Sequence, residues 1–258
     1  MDQGKVLVLG LGVSGKSAAL FLLKKGFRVV AVDRNPDLVS ACQGIEAHVE
    51  SDSIDISKFD FVVASPGVPP ENHLYKSALR SGIEVIGEVE LACRYIKQPC
   101  LGITGTNGKT STTMLVAHVL NCWGKNAKAV GNIGTPLISA VDEQDGKILV
   151  VELSSYQIET LKNPFIDVGV ILNITPDHLD RYSCMEEYAK AKIKVAGCLK
   201  KNGKLFVEER AYQNFRPLFE TLPVLTYGYN PHCTLFTDTK QVFNQGRFAF
   251  TLPSHLQG

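Results

Sequence analysis

The sequence has 258 residues, which is enough for two domains because a domain commonly takes about 100–200 residues. Hydrophobic residues make up 45% of the chain and charged residues 21%, and this excludes a disordered tail, a fibrous repeat and a coiled coil. The 27 basic and 26 acidic side chains leave a net charge of +1, so the composition favours neither nucleic acid nor a membrane surface as a partner.

The sequence predicts a cytoplasmic protein. It contains no run of 18 apolar residues that would form a transmembrane helix, and its first apolar stretch, Val6–Leu9, leads directly into a glycine loop instead of a signal-peptide cleavage site. The seven cysteines are odd in number and form no CxxC pair. This usage indicates a reducing compartment with mostly buried thiols, and neither a disulfide framework nor a zinc site.

In the first part of the chain, short apolar runs alternate with helical patterns. A helix over Gly15–Lys25 separates the first two strands, and a second helix ends at Arg80. This alternation is typical of βαβ units, which form a parallel sheet with right-handed crossovers. The predicted strands are Lys5–Gly10, Arg28–Asp33, Phe59–Ser65 and Glu84–Ile86.

A domain boundary is predicted near residue 97, where a helix over Glu88–Ile96 is followed by Pro99. We therefore expect domains at 1–96 and 97–258, both of the α/β class. The second is expected to contain helices at Lys109–Trp123 and Met185–Leu199 and an antiparallel edge built from Thr234–Thr237 and Arg247–Leu252. Its other predicted strands are Cys100–Thr104, Ile148–Leu153, Val168–Asn173, Lys204–Val207 and Val224–Tyr227.

The first glycine loop, Gly10–Gly15, fits the pattern GxGxxG between a strand and a helix. Its glycines would let the backbone approach a pyrophosphate at a helix N-terminus. Asp33, at the end of the next strand, would accept a hydrogen bond from a ribose hydroxyl. The pattern predicts a nucleotide site but leaves NAD, FAD and a UDP-sugar open, and a tight strand–helix turn without a ligand is the alternative.

A second glycine loop lies at Gly102–Thr110. The strict P-loop pattern GxxxxGK[ST] is met by the first loop, from Gly10 to Ser17, and not by the second. A phosphate-transfer site also needs a lysine, a hydroxyl for Mg²⁺ and an acid on a neighbouring strand, and Lys109, Thr110 and Glu152 supply these only for the second loop. We therefore predict that the second loop binds phosphate and that Lys16 is a solvated helix residue, although Glu152 by itself could be a strand-end ion pair.

Six motifs then occur in a characteristic order, and together they resemble those of the Mur ligases of peptidoglycan synthesis. The motif Gly105–Thr110, which contains the predicted phosphate loop, is shared with folylpolyglutamate synthetases. The D-glutamate-adding branch is favoured by three segments, namely the first loop, Ser65–Val68 and Gly87–Leu91. The six motifs are Gly10–Gly15, Ala64–Val68, Gly105–Thr110, Gly131–Gly134, Glu152–Gln157 and Asn173–Arg181.

The resemblance implies a Rossmann-like domain that holds a UDP-sugar, followed by a P-loop-type domain that holds ATP. In the first, Val13 and Ser14 would lie beside the uridine nucleotide, Asp33 near the uracil and ribose, and Gly67 near the diphosphate. Arg34 and Asn35 depart from the family pattern. Asn132 would contact substrate and nucleotide.

In the second domain the resemblance implies that Gly105, Thr106, Asn107, Gly108, Lys109 and Thr110 bind ATP. Thr110 and Glu152 would bind a first Mg²⁺, and His178 a second one. Lys192 would be carbamylated, which converts a cation into an anionic oxygen ligand suited to Mg²⁺. Lys190 and Lys194 lie two residues away on a helix and therefore point elsewhere.

The implied activity is ATP-dependent joining of D-glutamate to UDP-N-acetylmuramoyl-L-alanine by a monomer, through an acyl phosphate, with Lys109, Asn132, His178 and Lys192 in catalytic roles. The third domain of the family, which binds the amino acid, is expected to be absent, so the chain by itself is expected to bind substrate without forming product. Three alternatives stay open: an NAD(P)-dependent oxidoreductase, a folylpolyglutamate-type ligase, and a non-catalytic nucleotide-binding fragment.

Overall fold

The computed structural model describes residues 3–143, 146–178 and 181–252. The chain forms two compact units. The first unit consists of the chain up to Gln98 together with Val130–Lys147 and Thr160–Asn163, and the second of Pro99–Ala129, Ile148–Glu159 and the chain from Pro164 onward. Leu179 and Asp180 of the sixth motif lie outside the described residues.

The first unit is built on a five-stranded parallel sheet in the order β3-β2-β1-β4-β5. This order is typical of a Rossmann-like half and confirms the parallel sheet predicted from the βαβ pattern. Its strands are β1 (Lys5–Leu9), β2 (Arg28–Asp33), β3 (Glu46–Val49), β4 (Phe61–Ala64) and β5 (Glu84–Gly87). Its helices are α1 (Val13–Lys24), α2 (Pro36–Ser40), α3 (His73–Arg80) and α4 (Glu88–Cys93).

The core of the first unit follows from the apolar strands. Leu7 and Leu9 of β1, Val32 of β2 and Val62 of β4 pack in one buried cluster with Leu74 of α3. A parallel sheet needs apolar side chains on both faces because helices cover both of them. Burial of β1 between β2 and β4 fixes the glycine loop that follows it at the point where the strand order reverses.

A nine-stranded sheet in the order β14-β13-β12-β11-β10-β9-β6-β8-β7 forms the second unit, apart from Val130 and Gly131 at the end of β7, which are grouped with the first. Its strands are β6 (Cys100–Thr104), β7 (Ala127–Gly131), β8 (Ile148–Glu152), β9 (Ile166–Ile171), β10 (Leu199–Glu208), β11 (Val224–Gly228), β12 (Leu235–Thr237), β13 (Gln241–Asn244) and β14 (Arg247–Thr251). Its α-helices are α5 (Lys109–Cys122), α6 (Ser155–Glu159), α7 (Met185–Ile193) and α8 (Glu209–Asn214). The predicted antiparallel edge is confirmed, because β12, β13 and β14 pair antiparallel.

The predicted helix over Met185–Leu199 is wrong in its second half. The α-helix ends at Ile193, and Lys194–Cys198 winds as a 3-10 helix before β10 begins at Leu199. Leu199 pairs with Ile166 of β9, so the last residue of the predicted helix belongs to the sheet. Gly197, a poor helix former, lies in the tightened turn.

Within the described ranges, none of the helices is both long and apolar enough to cross a membrane. All seven cysteines are free thiols, and four of them are buried, namely Cys42, Cys100, Cys198 and Cys233. The prediction of mostly buried thiols outside disulfides is therefore confirmed.

Two buried carboxylates on α4 explain why segments beyond Gln98 belong to the first unit. Glu88 is 1% exposed and accepts a hydrogen bond from the Ile138 amide at 2.6 Å. Glu90 is fully buried and accepts from the Lys162 amide at 2.8 Å and from Asn163. These contacts anchor both later segments on α4, whereas the predicted division at residues 96 and 97 places both in the second domain.

The pKa of Glu88 is raised to about 7. Burial raises it, and the hydrogen bond from the Ile138 amide partly offsets this by lowering it. Its Oε2 atom has no hydrogen-bond partner among the described residues. The unfolded chain therefore releases this proton near pH 4.5 while the folded chain keeps it to about pH 7. The free energy of unfolding should fall as the pH rises between these values, by an amount on the order of 3 kcal/mol from this group.

We predict that Glu88→Gln removes this part of the pH dependence, because an amide carries no charge. Denaturant unfolding at steps from pH 4.5 to 8 measures it. The variant should become more stable relative to the parent chain as the pH rises to 7, with the difference constant above that. Glu71→Gln, at an exposed carboxylate, serves as the control, and parallel curves for the parent chain and Glu88→Gln would contradict the prediction.

Candidate nucleotide-binding sites

The first candidate site is a cavity of about 470 Å³ in the first unit. It lies at the carboxyl ends of β1, β2 and β4, where open α/β sheets bind their ligands. The residues that line it include Gly12, Val13, Ser14, Asp33, Gly67 and Asn132. The structure therefore brings together the four residues predicted for the UDP-sugar, and it places Asn132 with them.

The glycine loop is shaped by close packing at two positions. Gly10 has φ of +84°, a conformation that favours glycine, and the Ser65 hydroxyl donates to its carbonyl at 2.9 Å. A Cβ atom on Gly15 would stand only 1.8 Å from the Gly10 carbonyl oxygen. Gly12 differs from both, since a Cβ atom there would meet nothing within 4 Å.

Asp33 stabilises the loop from the end of β2. Its Oδ2 atom accepts from the Leu11 amide at 2.6 Å and its Oδ1 atom from the Asn35 amide at 2.8 Å. Each carboxylate oxygen has a second lone pair, so a ligand hydroxyl can still donate to Asp33. The Arg34 side chain also lines the cavity and contacts Glu50 at 3.2 Å, while the Asn35 side chain caps α2 through the Asp37 amide.

Lys16, which completes the strict P-loop pattern, is exposed in the first turn of α1. It is not among the residues that line the cavity. The prediction that Lys16 is a solvated helix residue is confirmed. The first loop therefore has the glycines of a phosphate loop but not its lysine.

The second candidate site lies at the carboxyl edge of the nine-stranded sheet. The predicted phosphate loop, Gly105–Thr110, follows β6, which lies between β9 and β8, so residues at both neighbouring strand ends flank it. Gly105 has φ of +155° and Gly108 has φ of +79°, and the latter is the N-cap of α5. The first four amides of a helix have no partner within the helix, so the start of α5 suits an anion.

Asn173, just after β9, holds the loop in shape. Its Oδ1 atom accepts from the amides of Thr106 at 3.0 Å and Asn107 at 2.8 Å, and its Nδ2 atom donates to the Asn107 carbonyl at 3.0 Å. The Thr106 hydroxyl contacts the backbone of Thr175 as well. The fold therefore preorganises the loop through contacts about 67 residues apart in sequence.

The three side chains predicted for phosphate and metal meet in this unit. Lys109 Nζ donates to the Thr106 carbonyl at 2.8 Å, so its ammonium group folds back over the loop. The Thr110 hydroxyl donates to Glu152 Oε2 at 2.7 Å. Glu152 is 2% exposed, and a buried carboxylate beside a hydroxyl is an oxygen set that suits Mg²⁺.

Lys192 reaches the same loop from α7. It is 1% exposed, and its Nζ atom donates to the Gly105 carbonyl at 2.8 Å. Burial and, to a smaller extent, the positive charge of Lys109 lower the pKa of Lys192 and Asp177 raises it, which leaves the pKa at about 7. Lys190 instead pairs with Glu186 on the surface and Lys194 donates to the Glu159 carbonyl, as predicted for neighbours on the other helix faces.

His178 lies within an aromatic cluster beside the loop. Its ring centre is 5.1 Å from that of Tyr156 and 6.1 Å from that of Tyr188. The Tyr188 hydroxyl contacts the Thr106 hydroxyl at 3.3 Å, and Lys192 Nζ lies 4.5 Å from the Tyr188 ring centre. Tyr188 therefore links His178, the phosphate loop and Lys192.

Asn173 and Tyr188 are not among the site residues predicted from the sequence. Asn173 opens the sixth motif and is the last residue of the predicted strand Val168–Asn173, and that position was the available signal. Tyr188 lies one helical turn before Lys192, on the same face of α7. Neither residue could be connected to Thr106 without the tertiary contacts.

Among the described residues, no group of three or more His, Cys, Asp and Glu side chains is arranged to hold a metal ion. The predicted ligand set is of another kind, since it combines Thr110, Glu152, His178 and Lys192. The Thr110–Glu152 pair fits Mg²⁺ in donor chemistry, and Lys192 fits only after its amine has become an oxygen ligand.

The fold and these contacts define an α/β protein whose first unit is Rossmann-like and whose second unit carries a glycine loop of the P-loop type at the edge of its sheet. Residues 103–255 match the model of the Mur ligase middle domain, and residues 4–87 match that of the Mur ligase MurD-like N-terminal domain. The chain belongs to the Mur ligase family.

Similar proteins carry one particular name. The chain is 46% identical to the UDP-N-acetylmuramoylalanine–D-glutamate ligase of Protochlamydia amoebophila, over 98% of this chain and 59% of that protein. It is 42% identical to the ligase of the same name from Pelotomaculum thermopropionicum, over 74% of this chain and 44% of that protein. The chain therefore spans about half the length of these relatives.

Solved structures of the family share the fold. One is the UDP-N-acetylmuramate:L-alanyl-γ-D-glutamyl-meso-diaminopimelate ligase from Neisseria meningitides, at a TM-score of 0.61 and 17% identity over 95% of this chain and 86% of that one. Another is the UDP-N-acetylmuramate–alanine ligase of Thermotoga maritima, at a TM-score of 0.54 and 19% identity over 97% of this chain and 60% of that one. At these identities the likeness supports the α/β fold alone.

Proposed function

We propose that this chain carries the UDP-substrate and ATP sites of a UDP-N-acetylmuramoyl-L-alanine:D-glutamate ligase. The observation that carries the proposal is the phosphate loop, where Lys109 folds over the backbone, Thr110 bonds to buried Glu152, and buried Lys192 approaches from α7. The names of the similar relatives supply the substrate class. A cytoplasmic location and a monomeric state stay predictions.

The first cavity would bind the UDP part of the substrate. Its wall combines the start of α1, which suits the diphosphate, with the Asp33 carboxylate, which suits a ribose hydroxyl or the uracil. The same geometry could take a dinucleotide, but an oxidoreductase would leave the second site without a use. The ligase proposal gives both sites a substrate.

The proposed reaction makes an amide bond in two balanced steps. A carboxylate oxygen of UDP-N-acetylmuramoyl-L-alanine attacks the γ-phosphorus of ATP, so that the bond to the β,γ-bridging oxygen breaks and ADP leaves. The amine of D-glutamate then attacks the acyl carbon, phosphate departs with the carbon–oxygen electron pair, and the amine loses a proton. No covalent enzyme nucleophile is needed, so the free cysteines and serines have no assigned role.

The chain's own residues would lower the cost of bringing two anions together. Lys109 and the amides at the start of α5 would stabilise the outer phosphates and orient them. Thr110 and Glu152 would hold one Mg²⁺ and His178 a second, and these ions supply charge neutralisation when bound. Asn132 would act from the wall of the UDP cavity.

Lys192 has the environment that carbamate formation requires. Carbon dioxide reacts with a neutral amine, giving a carbamate and a proton, and a pKa of about 7 makes a large neutral fraction available near neutral pH. The product would present two oxygens beside the phosphate loop in place of an ammonium group. This would turn the set of Glu152, Thr110 and Lys192 into one of oxygen ligands.

We predict that Lys109→Ala abolishes measurable ATP binding and that Lys16→Ala leaves it unchanged, because only Lys109 lies over a phosphate loop. Isothermal titration calorimetry with ATP and Mg²⁺ measures both variants, after UDP-N-acetylmuramoyl-L-alanine has been added. The reverse pattern would overturn the choice of loop. Binding of NADH in the absence of any ATP affinity would contradict the ligase proposal.

The UDP cavity can be tested through its glycines. Gly12 lies on the cavity wall, and a Cβ atom there would meet no protein atom within 4 Å. Gly12→Val should therefore cost little stability, but its side chain should occupy space in the cavity and weaken binding of UDP-N-acetylmuramoyl-L-alanine at least tenfold. Gly15→Ala should instead destabilise the first unit, because its Cβ would clash with the Gly10 carbonyl. Calorimetry and thermal unfolding of both variants separate the effects. Unchanged affinity in a folded Gly12→Val protein would count against this cavity.

The carbamate can be observed directly. With ¹³C-labelled bicarbonate at a fixed concentration of dissolved CO₂, a carbamate carbon resonance should grow as the pH rises from 6 to 8, because the lowered pKa of Lys192 makes its amine neutral in this range. Lys192→Met should lose the resonance and Lys190→Met, at the exposed ion-paired neighbour, should keep it. A signal that persists in Lys192→Met would place the carbamate elsewhere.

A further inference from the structure

The backbone of His178 has an unusual conformation. His178 has φ of +52°, in the left-handed region that few residues other than glycine adopt. Its carbonyl accepts from the amides of Arg181 at 3.0 Å and Tyr182 at 3.1 Å. A strained backbone conformation persists only where the surrounding contacts hold it in place. The residues that hold Arg181 and Tyr182 therefore help to set the position of His178.

One carboxylate contacts both of these residues. Glu159, the last residue of α6, accepts from the Tyr182 hydroxyl through Oε1 at 2.6 Å and from the Arg181 guanidinium through Oε2. The pair is partly shielded, with the Glu159 side chain 29% and the Arg181 side chain 30% exposed. Charge-assisted hydrogen bonds of this kind are stronger than neutral ones and more specific in geometry.

The Arg181 side chain is fixed from a second direction. Its guanidinium carbon lies 4.1 Å from the ring centre of Tyr156, within the range of a cation–π contact. The Tyr156 ring also contacts His178, with the two ring centres 5.1 Å apart. Tyr182 is 7% exposed and packs 5.2 Å from Tyr188, which contacts the phosphate loop.

We infer that Glu159 is a positioning residue which, by holding Arg181 and Tyr182 together, fixes the His178 ring between Tyr156 and Tyr188. Glu159 bonds to none of the phosphate loop residues in the described contacts, so it acts through other side chains. Its functional importance rests on the proposed function, in which His178 binds the second Mg²⁺. The position of the His178 ring can be measured without any ligand.

The test is a histidine spectrum of the full chain. The chain has six histidines, so ¹³C-labelled histidine gives few ring signals, and His178→Gln identifies the one that belongs to His178. In the parent chain this signal should carry the ring-current shift of Tyr156 and Tyr188. Glu159→Ala should remove this ring-current shift from the His178 signal and leave the other histidine signals in place.

Controls separate positioning from folding. Glu186→Ala, which breaks an exposed ion pair with Lys190 at 2.7 Å, should leave the His178 signal unchanged. Glu159→Gln keeps the side-chain volume but replaces one acceptor with a donor, so it should shift the same signal in a chain that still folds. A His178 signal that stays at the parent position in folded Glu159→Gln or Glu159→Ala would overturn the inference.

A second measurement judges the proposed function separately. Addition of ATP with Mn²⁺, a paramagnetic substitute for Mg²⁺, should broaden the His178 signal in the parent chain and should broaden it several-fold less in Glu159→Ala. Absence of broadening in the parent chain would count against the metal role of His178. The inference about Glu159 would still be decided by the shift measured without ligand.

Discussion

The carboxyl edge of a parallel sheet is the constraint on which both sites depend. In the second unit Ile103 of β6 lies opposite Glu152 of β8, and Thr104 lies opposite Ile171 of β9. Because side chains alternate along a strand, a slip of one residue would turn the Glu152 carboxylate to the other face of the sheet. The apolar, buried strands prevent such a slip, so the burial that stabilises the sheet also places an acid beside the phosphate loop.

The buried charged side chains Lys192 and Glu88 have different roles. Lys192 is buried beside another cation, at a cost to stability, and its neighbours are the loop carbonyl and the Tyr188 ring. Glu88 is equally buried, yet its contact with Ile138 joins a later segment to α4. A shifted pKa therefore points to function only when the surrounding groups offer a chemical use for it.

The two glycine loops show how far a local pattern can be trusted. Each contains at least one glycine with positive φ and each precedes a helix, because the geometry of a strand–turn–helix connection favours this. The strict phosphate-loop pattern fits the loop whose lysine is exposed. The neighbours across the sheet distinguish them, since Asn173 and Glu152 flank the second loop while Asp33 bonds to the first.

The sequence by itself determined the α/β class, most strand positions and the order of the motifs, because periodicity, glycines and strand-end residues are local signals. Tertiary structure decided the rest. It shortened the helix after Met185, grouped Asn132 with the first cavity, anchored two later segments on α4, and brought Asn173 and Glu159 to their partners. Asn173 meets Thr106 across 67 positions of sequence, and no short-range propensity records such a contact, since only sheet register and packing create it.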